Sequence, residues 1–233
     1  AGIAISTVIL PKLSNLVDQQ NNLEIKNMQN KALELSFFLS FPAAIALLIA
    51  SEPTISSLFG YGSFSQTAVK NSSNALFYFA FGLPAFAMIK VFSSFFFARH
   101  DTKTPFLISI FSVFSNIFIS LVFFQKIGFI ILPIATSVSS WINAILLYIF
   151  MRKKDLFKFN DLFKFRFPRI VFASICMGVI LYFILDMISL KIAYDQNLKA
   201  FYLLCTFLIS LISYFLISYF IKAFKISDIK IRY

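Results

Sequence analysis

A chain of 233 residues could form one or two water-soluble domains, but here hydrophobic residues make up 59% and charged residues only 13%. A soluble domain carries about 25% charged residues and needs polar surface to cover its core, so the chain is an integral membrane protein. The net charge of +11 would elsewhere raise the question of nucleic acid; in this composition it reports membrane orientation.

The chain opens inside an apolar run over residues 1–10, which as a helix rises only about 15 Å, half a hydrocarbon core. It reads as the tail of a spanning helix, closed by Leu10-Pro11-Lys12-Leu13-Ser14, in the C-terminal part of a longer protein. Six apolar stretches of spanning length follow, at 33–51, 75–98, 106–124, 127–150, 168–188 and 199–221. A bilayer demands such stretches because each backbone polar group must be satisfied within its own helix. The expected fold is an all-α polytopic membrane helix bundle, six full transmembrane helices plus one truncated one. Its parts are a lobe over 1–150, a basic connector over 151–169, and a two-helix segment with a tail over 170–233. Pro105 and Pro168 read as first-turn prolines. Pro42, Pro84 and Pro133 predict kinks or local unwinding.

The connections sort by charge. One set, 11–32, 99–105, 151–169 and the tail from 222, carries sixteen Lys and Arg; the other carries only Lys70, Lys126, Lys191 and Lys199. That asymmetry places the first set, and the C-terminus, in the cytoplasm. The connector repeats Asp-Leu-Phe-Lys-Phe at 155–159 and 161–165. Interleaved Phe and Lys suit a segment lying in the headgroup layer, rings down and ammonium groups on lipid phosphates, or else an ordinary basic loop.

No catalytic constellation is present. His100 is the sole histidine and the ten acidic residues are scattered, so the expectation is not an enzyme. Cys176 and Cys205 read as inert thiols in apolar runs. Lys90, the one basic residue outside both sets, lies about 13 Å from the boundary at Arg99. An intramembrane ammonium costs at least about 2.5 kcal/mol. Lys90 therefore either lines a pathway for an anionic substrate or reaches a helix–helix hydrogen bond or the interface. Asn116 and Ser120 share a helix face, with Thr136 on the next antiparallel helix at a similar depth. Three neutral oxygen groups either glue helices or contribute to a weak Na+ site. Trp141 reads as packing.

Particular residues then carry a resemblance. Leu10-Pro11-Lys12-Leu13-Ser14, Leu58-Phe59-Gly60-Tyr61-Gly62-Ser63-Phe64, Gly82-Leu83 and Lys90-Val91 occur in order. Phe96-Phe97-Ala98-Arg99-His100-Asp101-Thr102-Lys103-Thr104-Pro105 follows. The chain resembles the MurJ/MviN family of lipid II flippases, within the multidrug/oligosaccharidyl-lipid/polysaccharide exporter superfamily. The resemblance implies a fourteen-helix transporter of the bacterial inner membrane, of which this chain supplies the end of helix 8 and helices 9–14. It implies alternating access around a cationic cavity for lipid II or a similar undecaprenyl-pyrophosphate lipid, with Lys90, Arg99 and Lys103 as local substrate-path candidates. The last two helices would form the groove for the polyprenyl tail, in contact with membrane lipids. No nucleic acid is implied, and the drive would be Na+ or the membrane potential. In the family's sodium arrangement a carboxylate stands where this chain has Ser120. The alternatives are a related exporter of polysaccharide-linked lipid or drugs, or a transport-inactive membrane scaffold of the same fold.

Overall fold

A computed structural model describes residues 2–19 and 21–223, all in helices and short connections. The basic tail residues Lys225, Lys230 and Arg232 lie outside the described residues. Among the described residues nine α-helices follow one another: α1 (Gly2–Asp18), α2 (Asn22–Ile49), α3 (Ser51–Phe59), α4 (Gln66–Ala80), α5 (Leu83–Phe97), α6 (Lys103–Ile127), α7 (Ile131–Lys153), α8 (Asp161–Met187) and α9 (Lys199–Phe220). Four apolar helical stretches are long enough to cross a bilayer, and α4 with α5 forms a further, broken one. One of the four stretches contains both α6 and α7. These form two spans, because Gly128, at φ 73°, takes the left-handed turn that folds them into a packed hairpin. The described residues thus form an all-α membrane bundle whose segments after α1 are long and apolar enough for six crossings when α6 and α7 are taken separately.

The boundaries differ from the sequence expectation in four places. First, α1 does not stop at 10–14 but runs to Asp18 with Pro11 inside. Ile5, Ile9 and Leu13 form one buried stripe, and Pro11 removes only the N–H that would return to the residue-7 carbonyl. Second, the expected span 33–51 begins eleven residues earlier, at Asn22, because a helix continues beyond the hydrocarbon wherever its neighbours bury it. Third, the expected single span 75–98 is two helices, broken at Phe81 and Gly82. Pro84 has no N–H to return to the residue-80 carbonyl, and Trp141 Nε1 donates to the Phe81 carbonyl at 3.0 Å, so this indole seals the break. Fourth, Pro168 lies inside α8, which starts at Asp161. There Asn160 Oδ1 accepts the Phe163 N–H at 2.8 Å, capping the helix.

The chain divides into two compact units, residues 1–40 with 81–165, and residues 41–80 with 166–233. In the first, α1 packs on α5, and α5 on α7 of the α6–α7 hairpin. Gly2 permits the α1–α5 approach: a Cβ there would lie 3.1 Å from Ala87 Cα and 3.4 Å from Lys90 Cβ. The connector between α7 and α8 belongs to this unit, and Phe157 turns into it. Phe157 is 0% exposed, with ring centroids 5.8 Å from Phe92 and 6.3 Å from Phe95, while Phe159 stacks on Phe163 at 4.8 Å. Alternation of Phe and Lys fits an interface and a half-buried strap equally well; here the aromatic surface of α5 supplied the alternative.

Asn30, 1% exposed, holds the strap in place. Its Oδ1 accepts the Asn160 N–H at 3.0 Å, and its Nδ2 donates to the carbonyls of Lys158 (3.0 Å) and Lys26 (2.8 Å). Asn30→Ala leaves these buried peptide groups unpaired, so a loss of about 2 kcal/mol is expected. Faster amide exchange over residues 154–160, measured by mass spectrometry, checks it.

In the second unit, α3 packs on α4 and on α9. Ala50, Leu181, Leu185 and Leu203 form a core cluster with Ala46, Ile49, Ile192 and Phe207 around it. Gly178 lets Ile45 and Ile49 approach: a Cβ there would fall 2.6 Å from Ile45 Cγ2. Arg169 Nη1 donates to the Lys222 carbonyl at 3.4 Å.

Some loops of the same charge set touch one another within each unit. Residues 99–105 and 151–160 share an ion pair in the first unit. In the second, Lys199 bonds the 60–64 turn, and Arg169 bonds the start of the tail.

Candidate functional site

The substrate-path candidates fall into two places. Lys90 and Lys103 line one open cleft of about 810 Å³ in the first unit, together with Ser6 and Thr7 of α1, Ser93 and Ser94 of α5, Thr102, and Ser109 of α6. Both lysines are exposed to that space. Small hydroxyl side chains take up little room on helices packed closely at Gly2, which leaves the two ammonium groups as the dominant charges of the cleft. Arg99 is elsewhere. Its Nη1 donates to the Phe95 carbonyl at 2.9 Å. With the Gln29 amide oriented to donate to the Leu156 carbonyl (3.1 Å), Gln29 oxygen accepts from the same Nη1 at 3.2 Å. Burial pushes the Arg99 guanidinium below its ordinary pKa. Arg99 thus braces the strap and faces a separate small pocket of about 190 Å³ with Lys26 and Asp155.

The motif at 101–105 divides its labour residue by residue. Asp101 Oδ1 accepts the Thr104 N–H at 3.0 Å and its Oδ2 accepts the Thr104 hydroxyl at 2.8 Å, fixing the first turn of α6. Lys154 closes on the same carboxylate at 2.7 Å. Pro105 is the third residue of α6, where its missing N–H costs nothing. Lys103 is left to face the cleft. The Asp101–Lys154 pair was not legible in the sequence, because its members are 53 residues apart.

Burial raises the Asp101 carboxyl, but the Lys154 hydrogen bond, the two Thr104 bonds and the Lys154 charge outweigh it, so its pKa lies below the ordinary carboxylate value. A carboxyl lowered on folding adds stability above its unfolded pKa of about 4 and loses it as pH falls through the lower folded value. Both side chains are partly exposed, which limits the contribution to about 1 kcal/mol. Asp101→Ala is expected to melt at a lower temperature than the parent at pH 7. The gap closes below about pH 4, as a pair of thermal melts across that range would show.

A second cleft, of about 320 Å³, lies between α5, α6 and α7. Asn116 and Thr136 line it and meet: Asn116 Nδ2 donates to Thr136 Oγ1 at 3.2 Å and to Ser139 Oγ at 3.3 Å. Ser120 is not among its lining residues; its hydroxyl is buried without a partner. The structure therefore brings together two of the three sodium candidates. Asn116 turns a donor towards the hydroxyls, no carboxylate lines the cleft, and a cation requires converging oxygens. These three residues do not fit a sodium ion, and no step is derived through one. Among the described residues no group of three His, Cys, Asp or Glu could hold a metal.

Comparison with known proteins gives one consistent answer. A family model described as "Lipid II flippase MurJ" matches residues 1–195. A probable lipid II flippase MurJ of Rhizobium meliloti (strain 1021) is 35% identical over 192 residues, covering 82% of this chain and 36% of that protein. A probable lipid II flippase MurJ of Haemophilus influenzae is 31% identical over 221 residues, covering 91% of this chain and 43% of that protein. Among solved structures, "Lipid II flippase MurJ, inward closed conformation" superposes with a TM-score of 0.75 at 26% identity, over 95% of this chain and 43% of that one. The chain thus spans well under half the length of these relatives.

Proposed function

The chain belongs to the lipid II flippase MurJ family, and from that premise we propose that it is the C-terminal lobe and last two helices of a transporter that flips a polyprenyl-pyrophosphate-linked cell-wall precursor. Its place is the bacterial inner membrane, with the sixteen-residue basic set, and so the C-terminus, on the cytoplasmic side. The observation that carries the reading is the pairing of Lys90 and Lys103 in one hydroxyl-lined cleft. A pyrophosphate cannot shed its water into hydrocarbon, but two ammonium groups and a row of hydroxyls replace that water along a path beside the lipid. The work is transport rather than catalysis, and the drive is the membrane potential or an ion gradient. Asp101 fixes the first turn of α6, which carries Lys103, and Arg99 braces the strap outside the cleft. A full-length protein containing this lobe should sustain growth of cells depleted of their own flippase. Normal expression with no rescue and no lipid translocation would refute the proposal.

A further inference from the structure

We propose that Pro42 and Pro168 form a paired joint, at which α2 and α8 bend together and the second compact unit moves as one body against the first. The inference goes beyond the function proposed above, because it rests on the backbone and not on the cargo. The chain passes between its two units three times, at residues 40–41, 80–81 and 165–166. Each passage has a proline just after it. Pro42 lies inside α2, Pro168 inside α8, and Pro84 at the start of α5.

In a helix the N–H of each residue returns to the carbonyl four residues earlier. Proline has no N–H, and its ring also pushes that carbonyl away. The bonds lost here are those to the carbonyls of Phe38, Lys164 and Ala80, and each would have crossed from one unit into the other. At the third passage the helix is interrupted outright, with α4 ending at Ala80 and α5 starting at Leu83. A single such proline bends a helix without making a joint, since unbroken connections beside it would resist. A joint requires a weak point on every connection, and all three have one.

The two continuous helices are matched. Within the first unit Phe37 of α2 meets Phe163 of α8, ring centroids 6.1 Å apart, and within the second Phe41 meets Phe167 at 5.6 Å. Residue numbers rise together along this contact, so α2 and α8 run parallel. Pro42 and Pro168 each follow the second pair by one residue. Two side-by-side helices thus lose a backbone bond at the same level. Ties flank that level on both sides. In the first unit Asn30 bonds the backbone of Lys158 and Asn160 just before α8 begins, and Trp141 holds the Phe81 carbonyl at the third passage. In the second, Gly178 of α8 lets Ile45 and Ile49 of α2 close to contact. Bending is therefore confined to the short stretch that holds the prolines, as in a hinge that concentrates motion in a few residues.

The test uses the purified full-length protein in lipid nanodiscs, in a background lacking other cysteines. Spin labels at Lys126→Cys and Leu190→Cys, one in each unit, should give a broad distance distribution by pulsed electron resonance. Pro42→Ala with Pro168→Ala should narrow it to about half its width. A control pair within the first unit, Lys126→Cys and Lys158→Cys, should keep its width. Either single alanine should deliver most of the narrowing, because helices that bend together follow the stiffer one. Amide exchange in the parent over residues 39–45 and 165–171 should run about tenfold faster than in the next turns of the same helices. Fast exchange with distances unchanged by the alanines would mean a local backbone weakness only, and overturns the joint. Single alanines whose effects add independently overturn its pairing. The parent's exchange needs no substitution: protection at the prolines equal to that of the flanking turns overturns the proposal even if the alanine variants fail to fold. Loss of rescue in depleted cells, by contrast, refutes the cargo without touching the joint.

Discussion

Full-length protein carrying Lys90→Glu and Lys103→Glu together should reach the membrane at parental levels and fail to support growth of flippase-depleted cells. Two like charges facing a pyrophosphate at roughly 8 Å, at an effective dielectric of about 20, each cost about 2 kcal/mol. The swing from attraction to repulsion at two positions therefore exceeds about 5 kcal/mol, more than a thousandfold in transport rate. Single alanine substitutions lose one attraction each and should slow transport by about thirtyfold. Neither alanine variant should lower the melting temperature, because both side chains are exposed to the cleft. Arg99→Ala is the contrast: it strips partners from Phe95 and Gln29 and should lower stability first. Lipid translocation in everted vesicles, with protein level measured in parallel, decides the matter. Robust growth on the double-Glu variant would remove this cleft from the transport path.

Lys199→Met is expected to be the most destabilising single change in the second unit, by about 3 kcal/mol. Lys199 is 0% exposed. Its Nζ donates to the carbonyls of Gly60 (2.7 Å) and Tyr194 (2.6 Å) and sits 4.3 Å and 4.7 Å from the ring centroids of Tyr61 and Tyr194. Tyr194 in turn donates its hydroxyl to the Phe64 carbonyl. One ammonium thus ties the turn after α3 to the first residue of α9. Gly60 belongs to this arrangement: a Cβ there would lie 2.5 Å from the Ser56 carbonyl oxygen and 3.2 Å from Lys199 Nζ. Methionine keeps the apolar stem but offers no donor, so both carbonyls lose their partner. A thermal melt in detergent, with limited proteolysis of the 60–64 turn, reads the effect. Melting within a degree of the parent would show that these contacts contribute little.

Lys199 also shows where sequence reading reaches its limit. As one of four basic residues in the poor set, it entered only the charge sorting of the loops. Nothing in its neighbours announced that Gly60, 139 positions away, would complete its cage. Lys90 was legible because an ammonium inside an apolar run is anomalous on its own. Arg99 was legible as a member of a motif, but whether it faced the cleft or the strap depended on Gln29 and Leu156, which come from other parts of the chain.

The sequence by itself determined the membrane class, the apolar runs of spanning length and the family. Each follows from the high cost of exposing polar backbone or charge to hydrocarbon, which a run of residues displays without knowledge of its neighbours. Tertiary structure decided where helices extend past the apolar runs, that the connector's Phe157 turns inward, and that a span breaks at Phe81 under Trp141. It also decided which cations share a cleft. Those outcomes depend on what surface lies opposite each side chain, and that surface comes from residues tens of positions away.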